Sequence, residues 1–135
     1  NEVVTRAAIL EVYNFSMTPL DKRNKKTDRA SKITTLQFNY TIGKNITATP
    51  GQKTVYVRLT RPDDELMTKS NDSYFTYENK QIACSLSKDF EYSGEARIVF
   101  LYWKVDEILQ IGNYRADFFA DNNRIGTFTF RIEKN

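Results

Sequence analysis

Residues that could take part in chemistry or binding fall in four places along this chain. The run Tyr74-Phe75-Thr76-Tyr77 offers aromatic rings, which stack against sugar rings and nucleobases alike. Two acidic runs, Asp63-Asp64-Glu65 and Asp106-Glu107, offer the oxygen ligands that a hard cation such as calcium prefers. Cys84 is the only cysteine. None of these groups forms a catalytic motif with its neighbours in the sequence.

Histidine is absent, and this restricts catalysis more than any other feature. The commonest general base, the usual partner of a serine or cysteine nucleophile and the commonest metal ligand are therefore missing. One cysteine excludes an internal disulfide and a four-thiolate zinc site. We predict a protein that is not an enzyme and holds no metal or cofactor, although two distant carboxylates could still converge as they do in a glycosidase.

Each candidate residue also has a structural interpretation. Tyr74, Phe75 and Tyr77 are the candidate ligand-binding residues, but aromatic side chains also fill protein cores. The acidic runs lack the alternating Asp, Asn and Gly of a calcium loop, so we interpret them as solvated turns and leave calcium binding open. Cys84 lies in an alternating apolar run, which predicts a small buried side chain and not a reactive thiol.

The segment Ile98–Val105 is apolar on both faces, and the other strands are expected to pack around it. As an extended strand it directs Ile98, Phe100 and Tyr102 to one side, and Val99, Leu101, Trp103 and Val105 to the other. A strand of a two-layer sandwich needs only one apolar face. We therefore predict an interior strand, whose second row is covered by a long loop, another module or a partner. An open face in the isolated domain would contradict this position and the docking inferred from it.

Short strands separated by turn residues account for the remainder of the chain. Alternation of apolar and polar residues is clearest in residues 35–42 and 55–60. Further strands are expected near residues 9–17 (ended by Pro19), 66–67, 74–77, 82–86, 114–120 and 124–132. Together they predict an all-β fold, an antiparallel Ig-like β-sandwich of seven or eight strands.

Three connections have recognisable chemistry. Arg61-Pro62-Asp63-Asp64 predicts a tight turn, because proline is at its second position and aspartate follows. Asp121-Asn122-Asn123 predicts a hairpin, since these residues tolerate positive φ. Residues 106–113 are expected to cross between strands and have room for one helical turn.

Composition favours a single domain over residues 1–135, with residues 1–8 as a lead-in from a preceding region. The 135 residues, 40% hydrophobic and 13% aromatic, can bury a core without staples. No apolar run approaches the ~20 residues of a membrane helix, so no membrane span is expected. The net charge of +3 is modest, but residues 21–32 hold six basic and two acidic side chains. We interpret this stretch as a solvated loop, with a phosphate or acidic-lipid contact as the alternative.

The spacing Leu-x-x-Gly-x-Tyr occurs at Leu109, Gly112 and Tyr114, before a penultimate strand. It resembles the tyrosine corner of Ig-like and fibronectin type III-like sandwiches, in which the phenol bonds backward to the backbone. The resemblance implies structural roles for Tyr114 and Leu109, with Trp103 on the strand before the corner. The paired cysteines of antibody domains are absent.

Two longer segments, residues 55–64 and residues 112–121 followed by Ile125-Gly126, resemble Ig-like modules at the ends of cell-envelope proteins of Bacteroidetes-type bacteria. The resemblance spans roughly residues 53–132 and brings no catalytic residues with it. It implies an accessory domain outside the cytoplasm, in the periplasm or at the cell surface, attached to a stalk or an anchor.

Two functional hypotheses follow from these observations. The first is a non-catalytic structural or protein-interaction module of a larger extracytoplasmic bacterial protein. Its partner would be another protein or a neighbouring domain, held by an apolar strand face or by an exposed edge strand. The alternative is a carbohydrate-binding module that uses the aromatic residues at 74–77. Nucleic acid is not an expected partner.

Overall fold

The computed structural model describes residues 10–44, 50–69 and 73–135, and within them the chain forms nine β-strands and one short 3-10 turn. The expected lead-in, residues 1–8, lies outside the described residues. The strands are β1 (Val12–Leu20), β2 (Thr35–Ile42), β3 (Gly51–Thr60), β4 (Tyr74–Tyr77), β5 (Lys80–Ala83), β6 (Leu86–Tyr92), β7 (Arg97–Lys104), β8 (Gly112–Ala120) and β9 (Asn123–Ile132). The predicted all-β class is confirmed. No helix in this part of the chain is long and apolar enough to cross a membrane.

The strands pair into two main sheets and one small hairpin. The three-stranded sheet has the order β1-β2-β7, and the four-stranded sheet has the order β6-β3-β8-β9. β4 and β5 form a separate two-stranded hairpin. Every pairing between these strands is antiparallel, as predicted. One buried cluster draws side chains from both main sheets, which is the packing of a β-sandwich.

Alternation in β2 and β3 supplies the centre of this core. In β2 the apolar positions are at most 1% exposed, and the polar positions between them are half-buried; the apolar positions are Leu36, Phe38, Tyr40 and Ile42. β3 repeats the pattern with Val55, Val57 and Leu59. Each such side chain stabilises the fold by roughly 1.5–3 kcal/mol when fully buried. The rows predicted from residues 35–42 and 55–60 are confirmed.

A local irregularity in β1 brings a large side chain into the sandwich. Asn14 has φ of +59°, and the pairing of β1 with β2 shifts between Tyr13 and Ser16. Phe15 lies next to this bulge, and its ring centroid is 4.9 Å from that of Phe118 on β8. A Cβ at Gly126 of β9 would lie 2.4 Å from Cζ of Phe15. A larger residue at position 126 would therefore displace the Phe15 ring, and glycine allows the close approach of β9.

The predicted end of the first strand at Pro19 is wrong. β1 continues to Leu20, and Pro19 lies opposite Leu36 of β2. Proline is accommodated because β1 is at the edge of its sheet, where one side of the strand needs no N–H donors. The Pro19 carbonyl accepts a hydrogen bond from the Thr27 N–H at 3.0 Å.

The strand count is higher than predicted because the run at 82–86 is two strands. β5 ends at Ala83 and β6 begins at Leu86. Ser85, between them, donates its N–H to the Val57 carbonyl at 2.7 Å and accepts the Leu59 N–H on its hydroxyl at 2.7 Å. Cys84 is 4% exposed, and burial raises the pKa of its thiol. Its predicted role as a small buried residue is confirmed.

The two predicted turns are present, and the predicted helical turn is not. Asp64 N–H donates to the Arg61 carbonyl at 2.9 Å, which closes the tight turn. Asp121 and Asn122 have φ of +51° and +64° and join β8 to β9 as a two-residue hairpin. Residues 105–111 cross between β7 and β8 without a helix. The expected return strand at 66–67 is reduced to a single bridge between Thr60 and Leu66.

Candidate functional site

The strand predicted to lie inside a sheet is at an edge. β7 pairs with β2 and is the last strand of the three-stranded sheet. Its inward row is buried, but Ile98, Phe100 and Tyr102 on the opposite side are 61%, 42% and 54% exposed. The prediction of an interior strand is wrong. Burial of one row, Val99, Leu101 and Trp103, is enough to hold β7 against the core, so the second row does not need to be covered. No part of the described chain covers the second row, which we call the apolar row.

The apolar row belongs to a wider surface, the outer face of the three-stranded sheet. Strand pairing places its side chains in four lines across the sheet: Tyr13, Thr41 and Ile98; Ser16, Asn39 and Phe100; Thr18, Gln37 and Tyr102; Leu20, Thr35 and Lys104. The Gln37 side-chain amide lies 3.3 Å from the Tyr102 hydroxyl and donates to it. The outer face therefore presents apolar and aromatic groups beside neutral amides and hydroxyls.

Lysine side chains occupy carbonyl groups along the β7 edge. Lys88 of β6 donates its ammonium to the Phe100 carbonyl at 2.8 Å. Lys69 donates to the Lys104 carbonyl and also pairs with Asp106 at 3.0 Å. Charged side chains that close an edge in this way oppose the addition of another strand. The face of β7 is thus more accessible to a partner than its edge.

A compact loop of high positive charge adjoins the outer face. Residues 21–26, which we call the basic loop, connect the end of β1 to a bridge between Leu20 and Lys26. The Asp21 carboxylate accepts the N–H groups of Lys25 and Arg23 at 3.0 and 2.8 Å, and these bonds lower the pKa of Asp21. Asn24 has φ of +61°. Backbone hydrogen bonds between Asp21 and Lys25 and between Asn24 and Asp21 hold the turn, and its cationic residues are exposed.

The aromatic residues predicted to bind a ligand do not form one exposed surface. Tyr74 is 53% exposed, but Phe75 is 5% exposed and its ring stacks on Tyr56 with centroids 4.7 Å apart. Tyr77 is half-buried, and its ring meets Phe119 edge-on at 4.9 Å. The hairpin β4–β5 uses these two rings to cover the outside of the four-stranded sheet. Only Tyr74 of the three is placed to contact a ligand.

The residues assigned to the tyrosine corner lie together at one end of the sandwich. The Tyr114 hydroxyl donates backward to the Gln110 carbonyl at 2.6 Å, and burial raises the pKa of Tyr114 to about 12. Leu109 and Trp103 are each 5% exposed, and the Lys69 ammonium lies 4.6 Å from the centre of the indole. These side chains fix the crossover between β7 and β8.

The acidic runs pair with side chains of the same protein. Asp63 accepts hydrogen bonds from the Gln110 side chain and the Glu65 N–H, both at 3.0 Å, and these bonds lower its pKa, the Gln110 bond most. Glu107 lies 3.4 Å from the Arg61 guanidinium. Among the residues that the structure describes, no group of three or more acidic or cysteine side chains is arranged to hold a metal ion.

One candidate surface was missed by sequence reasoning, namely the combination of the outer face with the basic loop. A signal for it is present in the sequence: residues 12–20, 35–42 and 97–104 contain no aspartate or glutamate. That signal is recognisable only once the three segments are known to form one sheet.

Solved structures similar to this chain share its fold at low sequence identity. A β-glucosidase from Kluyveromyces marxianus matches 94% of this chain with a TM-score of 0.51 and 13% identity, over 14% of its own length. The same enzyme in complex with glucose matches 93% of this chain with a TM-score of 0.50 and 14% identity, over 14% of its own length. A third structure is the Pseudomonas fluorescens alkylpurine DNA glycosylase AlkC bound to DNA containing an abasic site analog. It matches 93% of this chain with a TM-score of 0.50 and 11% identity, over 31% of its own length.

These likenesses concern the fold alone, and this chain spans less than a third of each of those longer proteins. No curated protein matches the sequence. One family of sequences does match, over residues 13–133, and its description is a domain of unknown function. The chain therefore belongs to the family DUF8428.

Proposed function

We propose that this domain is a non-catalytic interaction module whose outer face binds a partner protein or a neighbouring domain. The observation that carries the proposal is the apolar row, where Ile98, Phe100 and Tyr102 are all more than 40% exposed. Three large side chains exposed to about half of their ~200 Å² present on the order of 300 Å² together. A patch of that size is near the largest on a typical monomer, and such patches often bind a partner.

Packing against the face is favoured over pairing with an edge. Lys88 and Lys69 already occupy the Phe100 and Lys104 carbonyls of β7. At the other edge of the same sheet, Pro19 has no N–H and β1 is distorted near Asn14. Irregular and charged edges of this kind oppose strand addition. A partner would therefore contact side chains of the outer face and leave the strand pairing unchanged.

An Ig-like module of an extracytoplasmic bacterial protein remains the context that we propose. The backward bond from Tyr114 to the Gln110 carbonyl supports the Ig-like assignment, since this bond defines a tyrosine corner. The solved neighbours support a role as one part of a longer chain, because each contains this fold as a fraction of its length. Localisation outside the cytoplasm rests on the sequence resemblance alone.

Carbohydrate binding is a second candidate, and one observation favours it. Phe100 and Tyr102 lie beside the amides of Asn39 and Gln37, and a planar ring next to an amide is an arrangement that can hold a sugar. A neutral glycan panel tests this candidate. Saturable binding that is lost in Tyr102→Ala and kept in Tyr74→Ala would support it at the outer face, whereas the reverse result would assign binding to the β4–β5 hairpin.

Site-specific photo-crosslinking in the full-length protein tests the main proposal. Benzoylphenylalanine placed at Tyr102 probes the outer face, and the same group at Tyr74 is the control, because the two side chains are 54% and 53% exposed. We expect a discrete protein adduct, or a crosslink to another domain of the same chain, from position 102 and none from position 74. Absence of an adduct at positions 98, 100 and 102, with retained folding, would refute docking on this face.

A further inference from the structure

We infer that the segment that binds the outer face is acidic. Its carboxylates would lie against Lys104 and the basic loop, while its apolar or aromatic side chains cover the apolar row. This inference rests on the proposed function, and it adds the chemistry of the partner. Four observations support the inference. The strands of the outer face lack carboxylates, and the cations of the basic loop make no ion pair with any described residue. The basic loop and the apolar row line one depression, and a stable complex needs more area than the apolar row offers.

The three-stranded sheet contains no carboxylate. β1, β2 and β7 have neither aspartate nor glutamate, whereas Arg97 and Lys104 stand at the two ends of β7. The four-stranded sheet carries Asp89, Glu91 and Asp117. An acidic partner would therefore meet no like charge among the strands that it would cover.

Several cations beside this sheet make no ion pair within the described part of the chain, although Lys69 at the β7 edge pairs with Asp106. Four of them lie in the basic loop: Lys22, Arg23, Lys25 and Lys26. None of the four makes an ion pair, because Asp21 is engaged by backbone N–H groups and Asp28 pairs with Lys134 at 3.2 Å. The loop thus holds four cationic side chains against the single carboxylate of Asp21, which is a net positive charge.

The basic loop and the apolar row meet in one depression. Its lining includes Leu20 and Asn24 from the loop side and Tyr102 and Lys104 from β7, with Thr35 and Gln37 between them. A single partner segment there can therefore contact Tyr102, Lys104 and Asn24, which lies between Arg23 and Lys25 in the basic loop. Gln37 bonds to Tyr102, so the aromatic end of the row is fixed beside the charged end of the face.

The area of the apolar row is too small to hold a partner alone. It presents on the order of 300 Å², whereas a specific complex buries about 800 Å² on each partner. The partner must extend beyond the row, and the depression leads to Lys104 and the basic loop. A second copy of this chain is a poor occupant, because two copies of a face without carboxylates offer each other no charge complement.

Single-stranded nucleic acid fits the outer face less well than an acidic protein segment. Nucleic acid requires cations along the whole track of stacked bases. Here Phe100 is flanked on the outer face by Asn39 and Ser16, which are neutral, and the Lys88 ammonium at the strand edge is bound to the Phe100 carbonyl. The remaining cations at the outer face are Lys104 and those of the basic loop. An acidic polypeptide, with carboxylates at one end and apolar side chains at the other, matches this uneven arrangement.

Binding of synthetic copolymers, followed by fluorescence anisotropy at low salt, tests the inference. The probes are labelled poly(Glu,Tyr), poly(Lys,Tyr) and oligo(dT), each of similar length. We expect binding to poly(Glu,Tyr), weaker binding to oligo(dT) and none to poly(Lys,Tyr). Equal or tighter binding of oligo(dT) would overturn the choice of a protein partner, and binding of poly(Lys,Tyr) would overturn the charge argument.

Variants separate this inference from the proposed function. Lys104→Glu is expected to weaken poly(Glu,Tyr) binding by up to about 5-fold, and the double variant Lys22→Glu with Lys25→Glu by up to about 30-fold, because each lost exposed ion pair contributes up to ~1 kcal/mol. Lys80→Glu, an exposed lysine on the β4–β5 hairpin, is the matched control and should bind as the parent does.

The outcomes for the apolar row complete the test. Phe100→Ser should also weaken binding, with thermal unfolding checked for each variant. If Phe100→Ser weakens binding and the charge reversals do not, the docking face stands and the acidic partner is refuted. If the charge reversals weaken binding and Phe100→Ser does not, the cations bind the probe without the apolar row. That result would refute docking on the apolar row, and with it the inference that an acidic segment covers this face.

Discussion

The same substitution, tyrosine to phenylalanine, is expected to have opposite effects at two buried positions of this fold. Tyr40 is fully buried, and its hydroxyl has no hydrogen-bond partner among the described residues. Its ring lies 5.1 Å from that of Phe118 and 5.9 Å from that of Phe15, so the surroundings are aromatic. Tyr114 is 2% exposed, but its hydroxyl donates to the Gln110 carbonyl at 2.6 Å.

The expected magnitudes follow from the cost of an unsatisfied group. A buried hydroxyl without a partner costs about 1–3 kcal/mol, so Tyr40→Phe should raise the free energy of unfolding by about 1 kcal/mol once the small void is counted. Tyr114→Phe removes one hydrogen bond and should lower the free energy of unfolding by about 1 kcal/mol. The two variants should then differ by about 2 kcal/mol, or roughly 30-fold in the unfolding equilibrium constant.

Urea denaturation followed by the fluorescence of Trp103 measures both variants, because this is the only tryptophan and it is buried. We expect parallel transitions with an unchanged dependence on urea, so that the shift in midpoint reports stability. A Tyr40→Phe protein that is less stable than the parent would refute the reasoning, since it would mean that the hydroxyl is satisfied in solution. Equal shifts for both variants would refute it as well.

Three further predictions follow from buried groups. Burial raises the pKa of Tyr114 to about 12 and raises that of Tyr40 further, so these hydroxyls lose their protons at lower pH in the unfolded chain than in the folded one. The free energy of unfolding should therefore fall as the pH rises above about 10. Urea titrations at pH 9 to 12 measure this dependence, and Tyr114→Phe should make it less steep. Gly126→Ala should lower the free energy of unfolding by about 1–3 kcal/mol, because the new Cβ would meet the Phe15 ring, and adding Phe15→Leu should restore part of that loss. Calorimetry measures both variants, and an unchanged melting temperature in Gly126→Ala would contradict the contact. Cys84 should react with a thiol reagent only when urea unfolds the chain, and rapid labelling of the native protein would show that the thiol is accessible.

Local features of the fold could be predicted from the sequence because the information for them is local. The alternation in residues 35–42 determines which side of β2 is buried. Asp121 and Asn122 tolerate positive φ, so their hairpin is encoded in two residues. The spacing of Leu109, Gly112 and Tyr114 likewise indicates a bond between neighbours along the chain.

The order of strands could not be predicted, because it depends on contacts between distant segments. The composition of β7 suggested an interior strand, but the burial of Val99, Leu101 and Trp103 is sufficient to join it to the core. The apolar row was expected to be covered, but it is open, and it is the surface on which we propose that a partner binds. Pro19 was likewise misjudged because its tolerance depends on β1 being an edge strand.

The candidate site was predicted only in part for a related reason. Tyr74, Phe75 and Tyr77 are neighbours in the sequence, but alternation in a strand sends successive side chains to opposite faces. Which face is covered depends on Tyr56 and Phe119, which are distant in sequence. The outer face and the basic loop, by contrast, contain no motif, and their relation emerges from the pairing of β1, β2 and β7.

Two amines, those of Lys88 and Lys69, protect the β7 edge from pairing with another chain. Acetylation of Lys88 or Lys69 would remove the ammonium charge that opposes association and weaken the bonds to the Phe100 and Lys104 carbonyls. An eight-residue strand with an exposed apolar row would then be a template for intermolecular β-pairing. Amine-reactive labelling of this protein therefore carries a risk of aggregation, even though neither lysine lies in its core.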